Sequence, residues 1–210
     1  MNSLDNYKAI KEEVDKLKNK SNLIVVTKNR SIETILPIIK SGHLHFGENK
    51  VQEAKGKWSP ILRNYKEIKL HLIGKLQSNK VKDAFALFDF VHTLDSEKLA
   101  KKFSELELNS KKKIKYFIQI NIGDEVQKSG INNSLAKEFI NFCKIDLKLN
   151  IIGLMCIPPI NLDPSPPFYK MQQLKINNHL VELSMGMSSD YKEALHFGAT
   201  YLRIGSAIFK

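Results

Sequence analysis

Eight short apolar runs, each followed by a stretch with apolar residues at helical spacing, constrain this 210-residue chain more than any other feature. The runs cover 23–27, 43–46, 70–73, 90–94, 114–122, 149–155, 179–183 and 200–204. They are rich in Ile, Leu and Val and mostly do not alternate with polar residues, the pattern of strands covered on both faces. The stretches between them carry Ile35, Ile38 and Ile39; Val51, Ala54 and Trp58; Val81, Phe85 and Phe88; Leu99, Phe103 and Leu106; and Leu135, Phe139 and Phe142. Ser31 is placed to cap the first of these and Gly42 to end it. A weak helix is expected around 169–174, after a Pro-rich stretch, and a last one across 191–195. Leu4, Tyr7, Ile10, Val14 and Leu17 predict an opening helix before the first strand. The pattern predicts an α/β fold: a single (β/α)8 TIM-like barrel over 1–210 with an extra N-terminal helix. Such barrels typically run to about 250 residues, so the loops here must be short. An open doubly wound sheet is the alternative.

Composition narrows the function classes. Hydrophobic residues make up 42% and charged residues 26%, so disordered, collagenous and disulfide-scaffold chains are excluded. No apolar run approaches the roughly 18–20 residues of a membrane span, and residues 1–8 carry no apolar signal core, so a cytoplasmic protein without membrane contact is expected. The two cysteines, Cys143 and Cys156, match no zinc spacing and read as buried free thiols. The net charge of +11 invites nucleic acid as a partner. Only Arg30, Arg63 and Arg203 among the 33 basic residues are arginine, however, and base reading leans on arginine. The one tight basic cluster, Lys111-Lys112-Lys113 with Lys115, reads as a solvated loop. Nucleic-acid binding is not expected.

In a barrel of this kind, function sits at the C-terminal ends of the strands. The first strand delivers Thr27-Lys28, the second Gly47-Glu48-Asn49, the third Gly74 to Asn79, the fourth Asp95-Ser96, the fifth Asn121 and the sixth Gly153-Leu154-Met155. The last two deliver Ser184 to Ser189 and Arg203-Ile204-Gly205-Ser206. Both are Gly/Ser turns, and phosphate sites in these barrels often follow strands seven and eight. Lys28 emerges from a buried strand. Partial burial there would favour a neutral amine able to attack an aldehyde. A lysine, a phosphate cup and a barrel together suggest pyridoxal 5′-phosphate as cofactor. Arg203 fits beside the pyridine nitrogen of that cofactor, where Asp or Arg is found; a salt bridge across the barrel mouth is the ordinary alternative. His43 and His45 sit on one face of the second run, but no third ligand is apparent nearby, so packed histidines are expected rather than a metal site.

These same residues carry a family resemblance. Val25-Val26-Thr27-Lys28, Phe46 to Glu53, His71 to Lys80, Asn121 with Glu125, Lys128, Ser129 and Gly130, Gly153-Leu154-Met155, Leu183 to Ser188, and Arg203 to Phe209 occur in order over nearly the whole chain. Together they resemble the pyridoxal phosphate homeostasis proteins, single-domain relatives of the alanine racemase barrel. The resemblance implies fold type III of the pyridoxal phosphate proteins. It implies Lys28 as the Schiff-base lysine and Ser188, Gly205 and Ser206 around the phosphate. It places Arg203 near the pyridine nitrogen, with Asn49, His71 and Met155 lining the ring pocket. It also implies a role in vitamin B6 homeostasis with little or no catalytic turnover; a site suited to hold the cofactor and release it makes apo enzymes that use it the expected protein partners. A monomer is expected, with a dimer left open. The competing reading is a pyridoxal phosphate enzyme, an amino-acid racemase or decarboxylase; racemisation needs a second acid/base on the opposite ring face, and no tyrosine stands at a strand end to supply it.

Three departures from the family pattern stand out. Thr27 replaces a common Ser. The segment before the seventh strand is short, so its helix is expected to be reduced. The chain stops at Phe209-Lys210, where relatives continue, so edge packing there is expected to suffer.

Overall fold

A computed structural model describes residues 2–16, 21–123, 129–159 and 162–210. Helix α1 (Ser3–Lys16) precedes β1 (Asn22–Val26), α2 (Ile32–Lys40), β2 (His45–Glu48), α3 (Val51–Ile61), β3 (Lys69–Leu72), α4 (Val81–Leu87), β4 (Phe90–Leu94), α5 (Glu97–Leu108) and β5 (Lys115–Asn121). A two-residue strand β6 (Ile131–Asn132) and α6 (Ala136–Asn141) follow. The chain then runs through β7 (Ile151–Met155), α7 (Ser165–Asn177), β8 (Glu182–Ser184), α8 (Tyr191–His196) and β9 (Tyr201–Ile204). Every strand pairing is parallel. β1 pairs with both β2 and β9, and β4 pairs with β5, so β1–β5 and β7–β9 close into an eight-stranded barrel with β6 as a side strand on β5.

Closure explains the apolar runs. Alternate residues of each strand face opposite ways. Leu23, Val25, Phe46, Leu70, Leu72, Tyr116, Ile118, Leu154, Leu183 and Leu202 join the core between barrel and helices. Ile24, Phe90, Phe117, Met155 and Tyr201 form a separate cluster inside the barrel. Burying each such side chain is worth about 1.5–3 kcal/mol, so both faces select apolar residues and no alternation survives in the sequence.

The structure departs from expectation in several places. β2 begins at His45 and runs through Gly47 and Glu48, because Phe46 pairs in register with Val25 and Glu48 with Leu72. Gly47 is required inside this strand, since a Cβ there would lie 2.8 Å from Ile24 Cγ2. α7 is a full 13-residue helix and is not reduced. Pro166 and Pro167 fall in its first turn, where a missing N–H costs nothing. The lysine cluster is tied down rather than simply solvated: Lys112 Nζ donates to Ala86 O at 2.9 Å, and Lys113 Nζ lies 3.3 Å from Glu107 Oε2. The chain end is well packed: Ile208 and Phe209 are buried, and Arg30 Nη2 donates to Phe209 O at 2.9 Å. Leu17, Glu125 and Lys128 lie outside the described residues.

Candidate functional site

A cavity of about 710 Å³ opens at the C-terminal end of the barrel, within the range typical of small-molecule sites. Lys28, Asn49, Ser188, Arg203, Gly205 and Ser206 all line it. Val26, Ile73, Ile157 and Met187 supply apolar walls, and Ser189, Ala207 and Lys210 complete the lining.

Lys28 follows β1 and is exposed, so the partial burial expected of it is not found. Its neighbours, by contrast, are fixed. Thr27 is fully buried, and its Oγ1 donates to Glu48 Oε1 at 2.7 Å. Lys57 Nζ donates to Thr27 O at 2.7 Å and to Glu48 Oε1 and Glu53 Oε1 at 2.9 Å each. Trp58 Nε1 donates to the same Glu48 oxygen, and Asn29 N donates to Glu53 Oε1 at 2.6 Å. Burial alone would raise the Glu53 carboxyl, but the hydrogen bonds from Lys57 and Asn29 outweigh it and hold it below its ordinary range. The backbone on both sides of Lys28 is thus anchored while its amine remains available to the cavity.

The opposite wall is made of the turns after β8 and β9. Ala207 N donates to Ser188 Oγ at 3.2 Å, which joins the two turns. Among the described residues, the backbone amides of Ser188, Ser189, Gly205 and Ser206 donate to no protein acceptor. A Cβ on Gly205 would lie 3.1 Å from both Val26 Cβ and Val26 O, so a side chain there would press tightly on β1 and the turn would have to give by a few tenths of an ångström.

Arg203 forms the floor. It is 5% exposed, its Nη1 donates to Ser184 Oγ at 2.7 Å and its Nη2 to Cys156 O at 2.9 Å. The salt bridge weighed from the sequence is absent among the described residues. Burial lowers its pKa, with a partial offset from Cys156 and Asp190. Burial also pushes the Cys156 and Cys143 thiols up to about 12, and both are free.

Two expected pocket residues lie elsewhere. His71 and Met155 are fully buried and do not line the cavity. Each is one inward step too deep. Side chains on one face recur every second residue, so Ile73 on the β3 end and Ile157 beyond β7 reach the cavity in their place. Met155 packs in the inner apolar cluster, and His71 stacks on Phe90 at 4.2 Å. Ser184, expected only as part of the turn after its strand, instead accepts from Arg203 and meets His92, which sequence reasoning missed. The signal for His92 is that each of the second, third and fourth runs carries histidine (His43 and His45, His71, His92), polar groups that a two-sided strand tolerates only when partnered. His43 lies outside β2, 3.0 Å from Tyr7 Oη through Nδ1 and 2.8 Å from His45 O through Nε2. Among the described residues, no group of three His, Cys, Asp or Glu side chains is gathered to hold a metal.

The family model of the alanine racemase N-terminal domain matches residues 4–210. The pyridoxal phosphate homeostasis protein of Haemophilus influenzae is 38% identical over 215 residues, covering 96% of this chain and 89% of that one. The chain belongs to the pyridoxal phosphate homeostasis protein family. A second family member, from Buchnera aphidicola, is 34% identical over 226 residues and covers 100% of this chain and 98% of its own. PipY of Synechococcus elongatus, solved with pyridoxal phosphate bound, superposes with a TM-score of 0.84 at 31% identity, covering 99% of this chain and all of that one. The alanine racemase of Corynebacterium glutamicum shares the fold, with a TM-score of 0.71 at 16% identity; this chain covers 61% of it.

Proposed function

We propose that this protein binds pyridoxal 5′-phosphate in the barrel-mouth cavity and serves intracellular vitamin B6 homeostasis with little or no turnover. The observation that carries the reading is the gathering in one cavity of a primary amine (Lys28), four backbone amides that among the described residues meet no protein acceptor, and a guanidinium that among the described residues forms no ion pair with a carboxylate. An aldehyde, a phosphate and a ring nitrogen are the three groups such a set complements. Lys28 would hold the aldehyde carbon as a Schiff base. Ser188, Ser189, Gly205 and Ser206 would take the phosphate through amides and hydroxyls. Arg203 would face the pyridine nitrogen, and Asn49 would border the ring. His71 and Met155, given their depth, would act from beneath rather than as lining.

When bound, the cofactor supplies an electron sink for carbanions. The residues here are poorly arranged to exploit it. Arg203 does not give up a proton readily, so it leaves the ring nitrogen neutral. No tyrosine lines the cavity to act as a second acid/base, and the mouth stays open to water. A site that holds the cofactor and releases it to apo enzymes fits these features better than a racemase.

Titration with pyridoxal 5′-phosphate, followed by borohydride reduction and peptide mass spectrometry, tests the reading. Reduction should fix one cofactor on Lys28 and bleach the yellow colour. Modification centred on any other lysine overturns the assignment. In the same preparation, cofactor transfer to an apo enzyme should be measurable while alanine racemisation stays at background. Robust turnover that is lost in Lys28→Ala overturns the homeostasis role.

A further inference from the structure

A continuous line of hydrogen bonds runs through the barrel interior beneath the cavity. Arg203 Nη1 meets Ser184 Oγ at 2.7 Å, Ser184 Oγ meets His92 Nδ1 at 2.8 Å, His92 Nε2 meets His71 Nδ1 at 2.9 Å, and His71 Nε2 meets His45 Nδ1 at 2.9 Å. Ser184, His92 and His71 are fully buried; His45, at the start of β2, is partly exposed. Five residues from β2, β3, β4, β8 and β9 are thereby threaded across the barrel.

The direction of this line follows from its head. A guanidinium only donates, so Ser184 Oγ must accept from Arg203. The buried hydroxyl proton then needs an acceptor, and His92 Nδ1 is the one within reach among the described residues. His92 must carry its own proton on Nε2 and donate to His71 Nδ1. His71 is set in the same form and donates to His45 Nδ1. Each ring turns its bare nitrogen toward Arg203 and its N–H away. Three imidazole dipoles therefore align with their negative ends toward the buried cation.

We propose that Ser184, His92, His71 and His45 are positioning residues for Arg203: they hold the guanidinium in place and stabilise its charge by aligned dipoles where, among the described residues, no carboxylate makes a direct ion pair with it. A carboxylate would neutralise the cation, whereas dipoles leave its charge for a ligand atom in the cavity. The line works only while the rings are neutral. Desolvation by burial, followed by the neighbouring charges, holds His71 and His92 well below the ordinary histidine range, and His45 is lowered as well. The groups facing His45 are Lys69 and Lys115, which oppose its protonation, Asp89, which favours it, and His71.

The test begins on the ligand-free wild-type protein, with histidine labelled by nitrogen-15. His92 and His71 should each show a bare Nδ1 and a protonated Nε2 in a single form at neutral pH. A protonated Nδ1 on either ring overturns the proposal. Arg203→Met removes the donor that sets the direction, so His92 should then populate both neutral forms; a spectrum that keeps the single form overturns Arg203 as its cause. The ligand-side consequence rests on the proposed pyridoxal phosphate site. Ser184→Ala should weaken binding of pyridoxal 5′-phosphate about tenfold and shift the absorption band of the bound molecule, the loss expected for one hydrogen bond to a charged group. Ser184→Thr should restore the band. Unchanged affinity and an unchanged band in Ser184→Ala overturn the positioning role. If the wild-type protein takes up no pyridoxal phosphate, the functional reading fails, and the nitrogen spectra still decide the line.

Discussion

Two buried cations, one bonded to the backbone beside Lys28 and one lining the cavity, are handled in opposite ways. Lys57, under the Lys28 strand end, is paired with Glu48 and Glu53. Arg203, under the far wall, is met by a serine hydroxyl and a backbone carbonyl. A paired charge is consumed locally and fixes backbone. An unpaired one, held by neutral acceptors, keeps its field for whatever enters above it. The difference shows that burial of charge serves geometry on one side of this site and electrostatics on the other.

The comparison breaks most sharply at Glu48. Glu48→Ala should cost about 3–5 kcal/mol in urea unfolding, because Lys57 is left buried with half its compensation, Trp58 Nε1 loses its acceptor and Thr27 Oγ1 keeps only its longer bond to Gly47 O. A loss below about 1 kcal/mol would show the cluster to be dispensable.

Acid should separate the two regions next. His43, next to β2, is lowered to about 4, chiefly by burial, and His71 and His92 lie well below the ordinary value. A histidine neutral in the fold and charged when unfolded gives the unfolded state more protons below about pH 6.5. Stability should therefore fall as pH drops from 7 to 5, by roughly 2 kcal/mol for His43 alone. Urea midpoints that stay constant over this window would mean the rings are charged in the fold.

Gly205→Val sharpens the contrast on the ligand side. The branched side chain meets Val26 and lifts the turn, so stability should drop by about 1–3 kcal/mol. Affinity for pyridoxal 5′-phosphate should fall more than affinity for pyridoxal. Equal losses would make the turn structural only. Lys28→Ala should have the smallest effect on the fold, within about 0.5 kcal/mol, since the residue is exposed. It should nevertheless abolish the borohydride-fixed adduct, measured by intact mass.

Much of this was legible from the residues. The strand count and parallel order follow from two-sided apolar runs. Lys28, Asn49, Ser188, Arg203, Gly205 and Ser206 share a cavity because each stands at or just past a strand end. Depth was less legible. His71 and Met155 fall one inward step low because a run of apolar residues does not mark where the ladder stops. β6 and the true extent of β2 depend on register with neighbours, which a single run does not encode. The histidine line was hidden for the same reason: it exists only once β2, β3 and β4 lie side by side.

The latch between Arg30 and Phe209 has a consequence for how the chain holds itself together. Those residues are 179 positions apart, and they sit beside the seam where β1 meets β9 and the barrel closes on itself. A molecule held at once by Lys28 and by the turn at Gly205 would span that seam and act as a clasp across nearly the full length of the chain. Bringing such distant positions together is the costliest loop closure this topology demands. Ligand occupancy would thus be felt as a later, more cooperative opening of the entire barrel.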